Sequence, residues 1–173
     1  EGFVTVSTNP CGEIPLCPYD SCRLLAINLY SYVKNPFTAE AEFDFDLFKS
    51  HVNKAMRMMD DIIDLELEKV EAIISKIASD PEDEDVRRVE LELWKKIREK
   101  ALKGRRTGLG ITAEGDMLAA LGLTYGTQEA IDFAVNVQRT LATSAYRASV
   151  IMASERGKFP MYDSEKEAGN PMI

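Results

Sequence analysis

The sequence predicts an α/β chain that is mostly helical, and three observations carry the prediction. Three long stretches repeat apolar residues at spacings of three and four, the signature of a helix with one buried face. Two short apolar stretches, RLLAINLYSYV at 23–33 and RRTGLGI at 105–111, read as strands. Residues 1–22 carry Gly2, Pro10, Gly12, Pro15 and Pro18, too many breaks for a helix, and read as a loop or a set of turns.

The elements follow in order. Residues 23–33 suit a buried strand, or a strand leading into a turn; periodicity does not separate the two. KNPFTAEAE is a connection. Asp44 or Asp46 can cap the first long helix, whose face is Phe48, Val52, Ala55, Met59 and Ile62, continuing through Ile73, Ile74 and Ile77. Pro81 in SDPEDED ends it, and Ser79 or Asp80 starts a second helix lined by Val86, Val89, Leu93, Ile97 and Ala101. Lys100 and Lys103 occupy its last turn, and Gly104 ends it. The glycines of 105–111 fit a strand that something approaches closely. A short helix spans about 114–121, and LGLTYG is a turn. Thr127 caps the third long helix, striped by Ala130, Ala134, Val137, Leu141, Ala145, Ala148 and Met152 and stopped at Gly157. The last sixteen residues read as an irregular tail.

The 173 residues suffice for one domain with a core, and the composition is that of a globular chain, 45% hydrophobic and 29% charged. Two strands do not make an independent sheet. Residues 1–173 are therefore expected to be a single incomplete domain, loop 1–22 followed by strands and long helices over 23–173. Glu1 in place of Met reads as a cut point. The net charge of −8 disfavours broad contact with nucleic acid. No apolar run approaches the length of a membrane span, and the N-terminus has no basic and apolar leader, so a cytoplasmic location is expected.

Three cysteines, an odd number, cluster at one end as Cys11, Cys17 and Cys22. A secreted disulfide scaffold spreads an even number along its chain. The spacing C-x5-C-x4-C lacks the C-x2-C of zinc knuckles, and the single histidine, His51, lies far off in a helix. Asn9, Cys11 and Glu13 alternate, so in an extended segment they point to one face. A neighbouring carboxylate disfavours a thiolate, and no local histidine is present to act as its base. A neutral S–H suits hydrogen-atom transfer instead, with the acid taking a proton from a hydroxyl and the amide fixing that hydroxyl.

NPCGEIPLCPYDSCRLLAINL resembles the active-site segment of the large catalytic subunit of ribonucleotide reductases, and its form is most similar to the adenosylcobalamin-dependent class. FDLFKSHVNKAMRMMDDIID, GRRTGLGITAEGDMLAALGLTYGTQEA and ASERGKFPMYD resemble the blocks that follow in that family, in the same order over nearly the whole chain. The resemblance implies a place in the second half of a ten-stranded α/β barrel, with 1–22 as the finger loop at its centre. It implies that Cys11 is the thiyl-radical cysteine that takes the 3′ hydrogen of a ribonucleotide, and that Glu13 is the base for the 3′ hydroxyl. Asn9 would hydrogen-bond the ribose hydroxyls, and Cys22 would be one of the two cysteines that become a disulfide.

The implied cofactor is adenosylcobalamin, with a metal-radical partner subunit as the alternative. The implied partners are the remaining barrel segments, a thioredoxin-like reductant and a second copy of the complete subunit. The family's other redox cysteine, first five strands, effector site, phosphate loop and C-terminal cysteine tail fall outside this stretch, so the chain is expected to be inactive alone.

A second reading, of a different class, is a non-catalytic helical module with a cysteine metal or disulfide clasp. Several residues have plainer expectations. Cys17 is structural, His51 lies on a helix face, and Met56, Met58 and Met59 fill the core. Gly108 and Gly110 allow tight packing, Arg105 and Arg106 are solvated, and EDED is a solvated helix start.

Overall fold

A computed structural model describes residues 4–169. The chain is mostly helical, as expected, in the order β1 (Ser7–Thr8), β2 (Pro15–Leu16), β3 (Arg23–Asn28), a 3-10 turn (Leu29–Tyr32), β4 (Val33–Lys34), β5 (Glu42–Phe43), α1 (Phe45–Ala78), α2 (Glu84–Gly104), β6 (Thr107–Thr112), α3 (Glu114–Ala120), α4 (Gln128–Arg156) and α5 (Ser164–Glu167). The described strands pair as β1 with β2, β3 with β6 and β4 with β5, and no closed barrel forms among them. The described residues form two compact units.

One unit comprises 24–58 and 109–156. Asp44 caps α1, its carboxylate accepting from the Leu47 amide at 2.9 Å. Phe48, Val52 and Ala55 then enter a core with Leu29, Tyr32, Phe43, Met117, Leu118, Val137 and Leu141. Aromatic rings dominate it: Phe43 meets Phe45, Phe48 and Phe133 edge to face, with centroids 4.8–6.0 Å apart. His51 lies on the helix face as expected, and its Nδ1 is 3.0 Å from the Tyr32 hydroxyl. Thr127 caps α4, its hydroxyl accepting from the Ala130 amide at 3.3 Å, and Gly157 ends that helix at a φ of +86°.

Of the two readings of residues 23–33, the structure shows the strand leading into a turn rather than one buried strand. β3 alternates buried and open positions, Leu24 is exposed, and Asn28 turns the chain by accepting from the Tyr30 amide at 3.0 Å. A polar residue that can bond its own backbone two positions on ends the strand. Gly110 is not tightly packed either, since a Cβ there would meet nothing within 4 Å.

The other unit comprises 59–108 with the described parts of 1–23 and 157–173. Its stretch of α1 buries Met59, Ile63, Val70 and Ile77. Ile63, not the expected Ile62, continues the stripe, because the spacing of four from Met59 keeps to the helical period. Met58 is 57% exposed and so is not core filler. Asp83, rather than Ser79 or Asp80, caps α2, accepting from the Asp85 amide at 2.9 Å; Pro81 keeps the preceding residues out of the helix. Of the α2 stripe only Ala101 is buried; Val86, Val89 and Leu93 are 45%, 58% and 42% exposed. The pattern marks an apolar face truly, but nothing among the described residues covers it.

Arg105, not Gly104, takes the left-handed cap of α2, at a φ of +43°. It is not solvated. Asp60 at 2.7 Å and Asp64 at 2.8 Å hold its guanidinium, and the Asp60 carbonyl accepts from it at 3.0 Å. These bonds offset the cost of a side chain in that backbone region. The tail is less irregular than expected: Asp163 caps the short α5, and the Met161 amide donates to the Lys103 carbonyl at 3.2 Å.

Candidate active site, a cysteine hairpin on a buried ionic base

Residues 7–16 form a small antiparallel hairpin, with Ser7 opposite Leu16 and Thr8 opposite Pro15. The Asn9 amide continues the ladder to the Ile14 carbonyl at 3.1 Å. Asn9-Pro10-Cys11-Gly12 closes the tip, the Gly12 amide donating to the Asn9 carbonyl at 2.9 Å. Proline presets the second position of such a turn, and Gly12 takes the φ of +81° that follows it. Cys11 stands exposed at the third position. Its φ is not positive, which excludes a type II turn.

The turn, rather than strand alternation, brings the expected residues together. The Asn9 side-chain amide donates to Glu13 Oε1, across the turn that carries Cys11. Asn9 Oδ1 accepts from the Ile14 amide at 3.0 Å. Asn9 is therefore fixed at both ends of its side chain. Glu13 is held through one oxygen, and its Oε2 remains to accept from a hydroxyl.

Cys22 is not at the tip. It is half-buried just before β3, and its thiol donates to the Arg23 carbonyl at 3.7 Å. Burial pushes this thiol up from its ordinary range, while the Arg106 and Arg23 charges pull it down; Asp20 and Glu13 push it up again. Cys22 is thus a neutral S–H at neutral pH.

A second proline turn, Cys17-Pro18-Tyr19-Asp20, lies between, the Asp20 amide donating to the Cys17 carbonyl at 3.2 Å. Here Tyr19 takes a φ of +64°, as in a type II turn. The Lys96 ammonium sits 5.2 Å from the centre of its ring. Cys17 is buried, in keeping with a structural role, and its thiol donates to Asp20 Oδ2 at 3.5 Å. Burial, then the Asp20 charge, raises it.

The Asp20 side chain is completely buried, and Arg106 Nε donates to it at 2.7 Å. Arg106 is therefore not simply solvated. Arg23, 8% exposed in its side chain, pairs with Glu66 at 2.5 Å and donates to the Arg106 carbonyl at 3.3 Å. The sequence reading missed Asp20, Arg106, Arg23 and Glu66. The available signal was an acid between two cysteines and basic residues opening both longer strands, each partner lying 43 to 86 positions away.

Among the described residues no group of three or more His, Cys, Asp or Glu side chains could hold a metal ion. The three cysteines are free thiols in three different environments, which gives a clasp no donor cluster. Two clefts in the unit of 24–58 and 109–156 measure about 290 and 470 Å³. They are lined mainly by small or apolar residues such as Ala113, Ala119, Ala130 and Val135, and neither includes a cysteine. No described helix is long and apolar enough to cross a membrane.

Comparison with known proteins agrees with the motif resemblance. Residues 4–171 match the family model described as ribonucleotide reductase, barrel domain. A vitamin B12-dependent ribonucleoside-diphosphate reductase of Mycobacterium tuberculosis is 32% identical over 94% of this chain and 19% of its own length. One from Thermoplasma acidophilum is 36% identical over 93% of this chain and 17% of its own length. The ribonucleoside-diphosphate reductase subunit alpha of Chlamydia pneumoniae is 28% identical over 92% and 13%. The chain thus spans less than a fifth of the length of these relatives. The match over 4–171 shows that the chain belongs to the ribonucleotide reductase barrel-domain family.

Proposed function

We propose that this chain is the segment of a ribonucleotide reductase catalytic subunit that carries the hydrogen-atom-transferring cysteine. The observation that carries the reading is the tip itself, where Cys11 stands exposed between an amide and a carboxylate already bonded to each other.

In this reading the thiyl form of Cys11 takes a hydrogen atom from C3′ of the ribose. The S–H bond forms as C3′–H breaks, and the unpaired electron moves to carbon. Glu13 accepts the proton of the 3′ hydroxyl through the oxygen that Asn9 leaves open, and Asn9 holds the ribose hydroxyls in place. The 2′ hydroxyl leaves as water. The two electrons and two protons this requires come from the Cys22 thiol and a second thiol on another segment, which join as a disulfide. C3′ recovers its hydrogen from Cys11 and O3′ its proton from Glu13, and a thioredoxin-like reductant restores the two thiols.

We further propose that the complete subunit is a cytoplasmic ten-stranded barrel, in which residues 1–173 belong to a single domain of its second half, and that two complete subunits pair as a homodimer. The B12 dependence named for two relatives favours adenosylcobalamin as the radical source of the whole enzyme over a metal-radical subunit. The segments absent here would supply its site, the rest of the substrate pocket and the walls that keep water from an exposed Cys11. The chain alone is then inactive.

The test is a chimera in which residues 4–171 replace the matched segment of the Mycobacterium tuberculosis relative. The chimera is expected to form deoxyribonucleotide, and its Cys11→Ser variant to form none. Turnover retained by the variant would overturn the assignment.

A further inference from the structure

Three charged side chains besides Glu13 act on the Cys22 thiol, Arg106, Arg23 and Asp20, and each of them belongs to an ion pair. Asp20, completely buried, takes Arg106 Nε at 2.7 Å. Arg23 takes Glu66 at 2.5 Å and also bonds the Arg106 carbonyl, which ties the two pairs together. The carbonyl that receives the Cys22 thiol is that of Arg23. Buried ion pairs are weak stabilisers against apolar replacements, because desolvation offsets their attraction. A completely buried aspartate held by an arginine, two residues from the thiol, therefore calls for another reason than stability.

We propose that Asp20 and Arg106 are positioning residues for Cys22: the pair cancels charge beside the thiol, so that Cys22 reacts as a neutral S–H able to deliver its proton with its electron. The proposal rests on the reading of Cys22 as half of the reducing pair. An arginine alone at this place would favour the thiolate, which has no proton to give. An aspartate alone would leave a buried charge without a partner. Together they hold the segment through charge-assisted bonds while leaving Cys22 protonated. The other charges facing the thiol, Arg23 and Glu13, remain in every variant below.

The experiment follows alkylation of Cys22 by iodoacetamide in the purified 173-residue chain at pH 7.5, resolved from Cys11 and Cys17 by tandem mass spectrometry. Asp20→Asn leaves Arg106 unbalanced and is expected to speed alkylation about threefold or more, the effect of half a pH unit in thiolate formation. Arg106→Gln leaves Asp20 unbalanced and is expected to slow it by a similar factor. The double variant Asp20→Asn/Arg106→Gln, again neutral, is expected within about twofold of the parent.

Opposite signs with a near-parental double variant is the pattern the proposal requires. If all three variants speed alkylation alike, the pair merely covers Cys22, and the proposal fails; any other pattern also overturns it. Where a single variant loses its helical far-UV signal, Arg106→Lys takes its place. It keeps the charge and is expected within about twofold of the parent, and a larger departure overturns the proposal. Alkylation needs no turnover, so its failure leaves the reductase reading standing. Turnover by the Cys11→Ser chimera would sink that reading without touching this one.

Discussion

The first 22 residues contain two proline turns built on one plan and held in opposite ways. Asn9-Pro10-Cys11-Gly12 is local: its bonds run to Ile14 and Glu13, its positive φ falls on glycine, and its cysteine is exposed. Cys17-Pro18-Tyr19-Asp20 is anchored from afar. Its positive φ falls on a tyrosine beneath Lys96, its cysteine is buried, and its aspartate is fixed by Arg106, 86 positions on. Under the proposed function the difference separates two jobs. A tip that must meet a substrate presents its groups on short-range bonds and leaves the thiol uncovered. A base that must hold the tip still spends long-range ion pairs and hides its thiol.

Breaking the tip should abolish chemistry and spare the fold. In the chimeric enzyme, Cys11→Ser should bring deoxyribonucleotide formation to background. In the 173-residue chain the same change should alter the free energy of urea unfolding by no more than about 0.5 kcal/mol, as for an exposed surface substitution.

Breaking the base should cost stability. Arg106→Ala strands the buried Asp20 charge and should cost about 3 kcal/mol in urea unfolding of the chain, in the range for a split buried pair. Asn9→Ala removes the clamp on Glu13 and the bond to the Ile14 amide. It should cost about 1 kcal/mol and lower chimera turnover by about tenfold to a hundredfold, the scale of a misplaced acid–base group.

The smallest effects sharpen the role of backbone geometry. Gly12→Ala should cost about 1 kcal/mol because of its φ of +81°, though space is open around it. Gly110→Ala, with equal space and no positive φ, should be neutral or stabilising by about 0.5 kcal/mol. Parallel urea titrations compare the two.

This contrast also explains what was legible in the sequence. That Asn9, Cys11 and Glu13 share one tip could be read because the information lies within five residues, although a proline–glycine turn and an Asn9–Glu13 bond, not the expected strand alternation, bring them together. The helices could be read because their period is local too, and Asp44 and Thr127 cap them as expected. The base could not be read. Asp20 and Arg106 look like ordinary surface charges until the fold brings them together, and two adjacent arginines give no sign that each has its own carboxylate. The α2 stripe failed in a different way. Its pattern is apolar, but burial of Val86, Val89 and Leu93 needs a surface that the described residues do not provide. A helix face records what the whole protein packs against it, and this chain spans less than a fifth of its relatives.

The central claim is that Cys11 moves a hydrogen atom to and from the sugar. The most direct test gives the chimeric enzyme a ribonucleotide deuterated at C3′. The account predicts slower turnover than with the unlabelled substrate, product that retains deuterium at C3′, and neither product nor label loss with Cys11→Ser. Equal rates for the two substrates in a chemistry-limited assay, or a Cys11→Ser enzyme that still makes product, would contradict it.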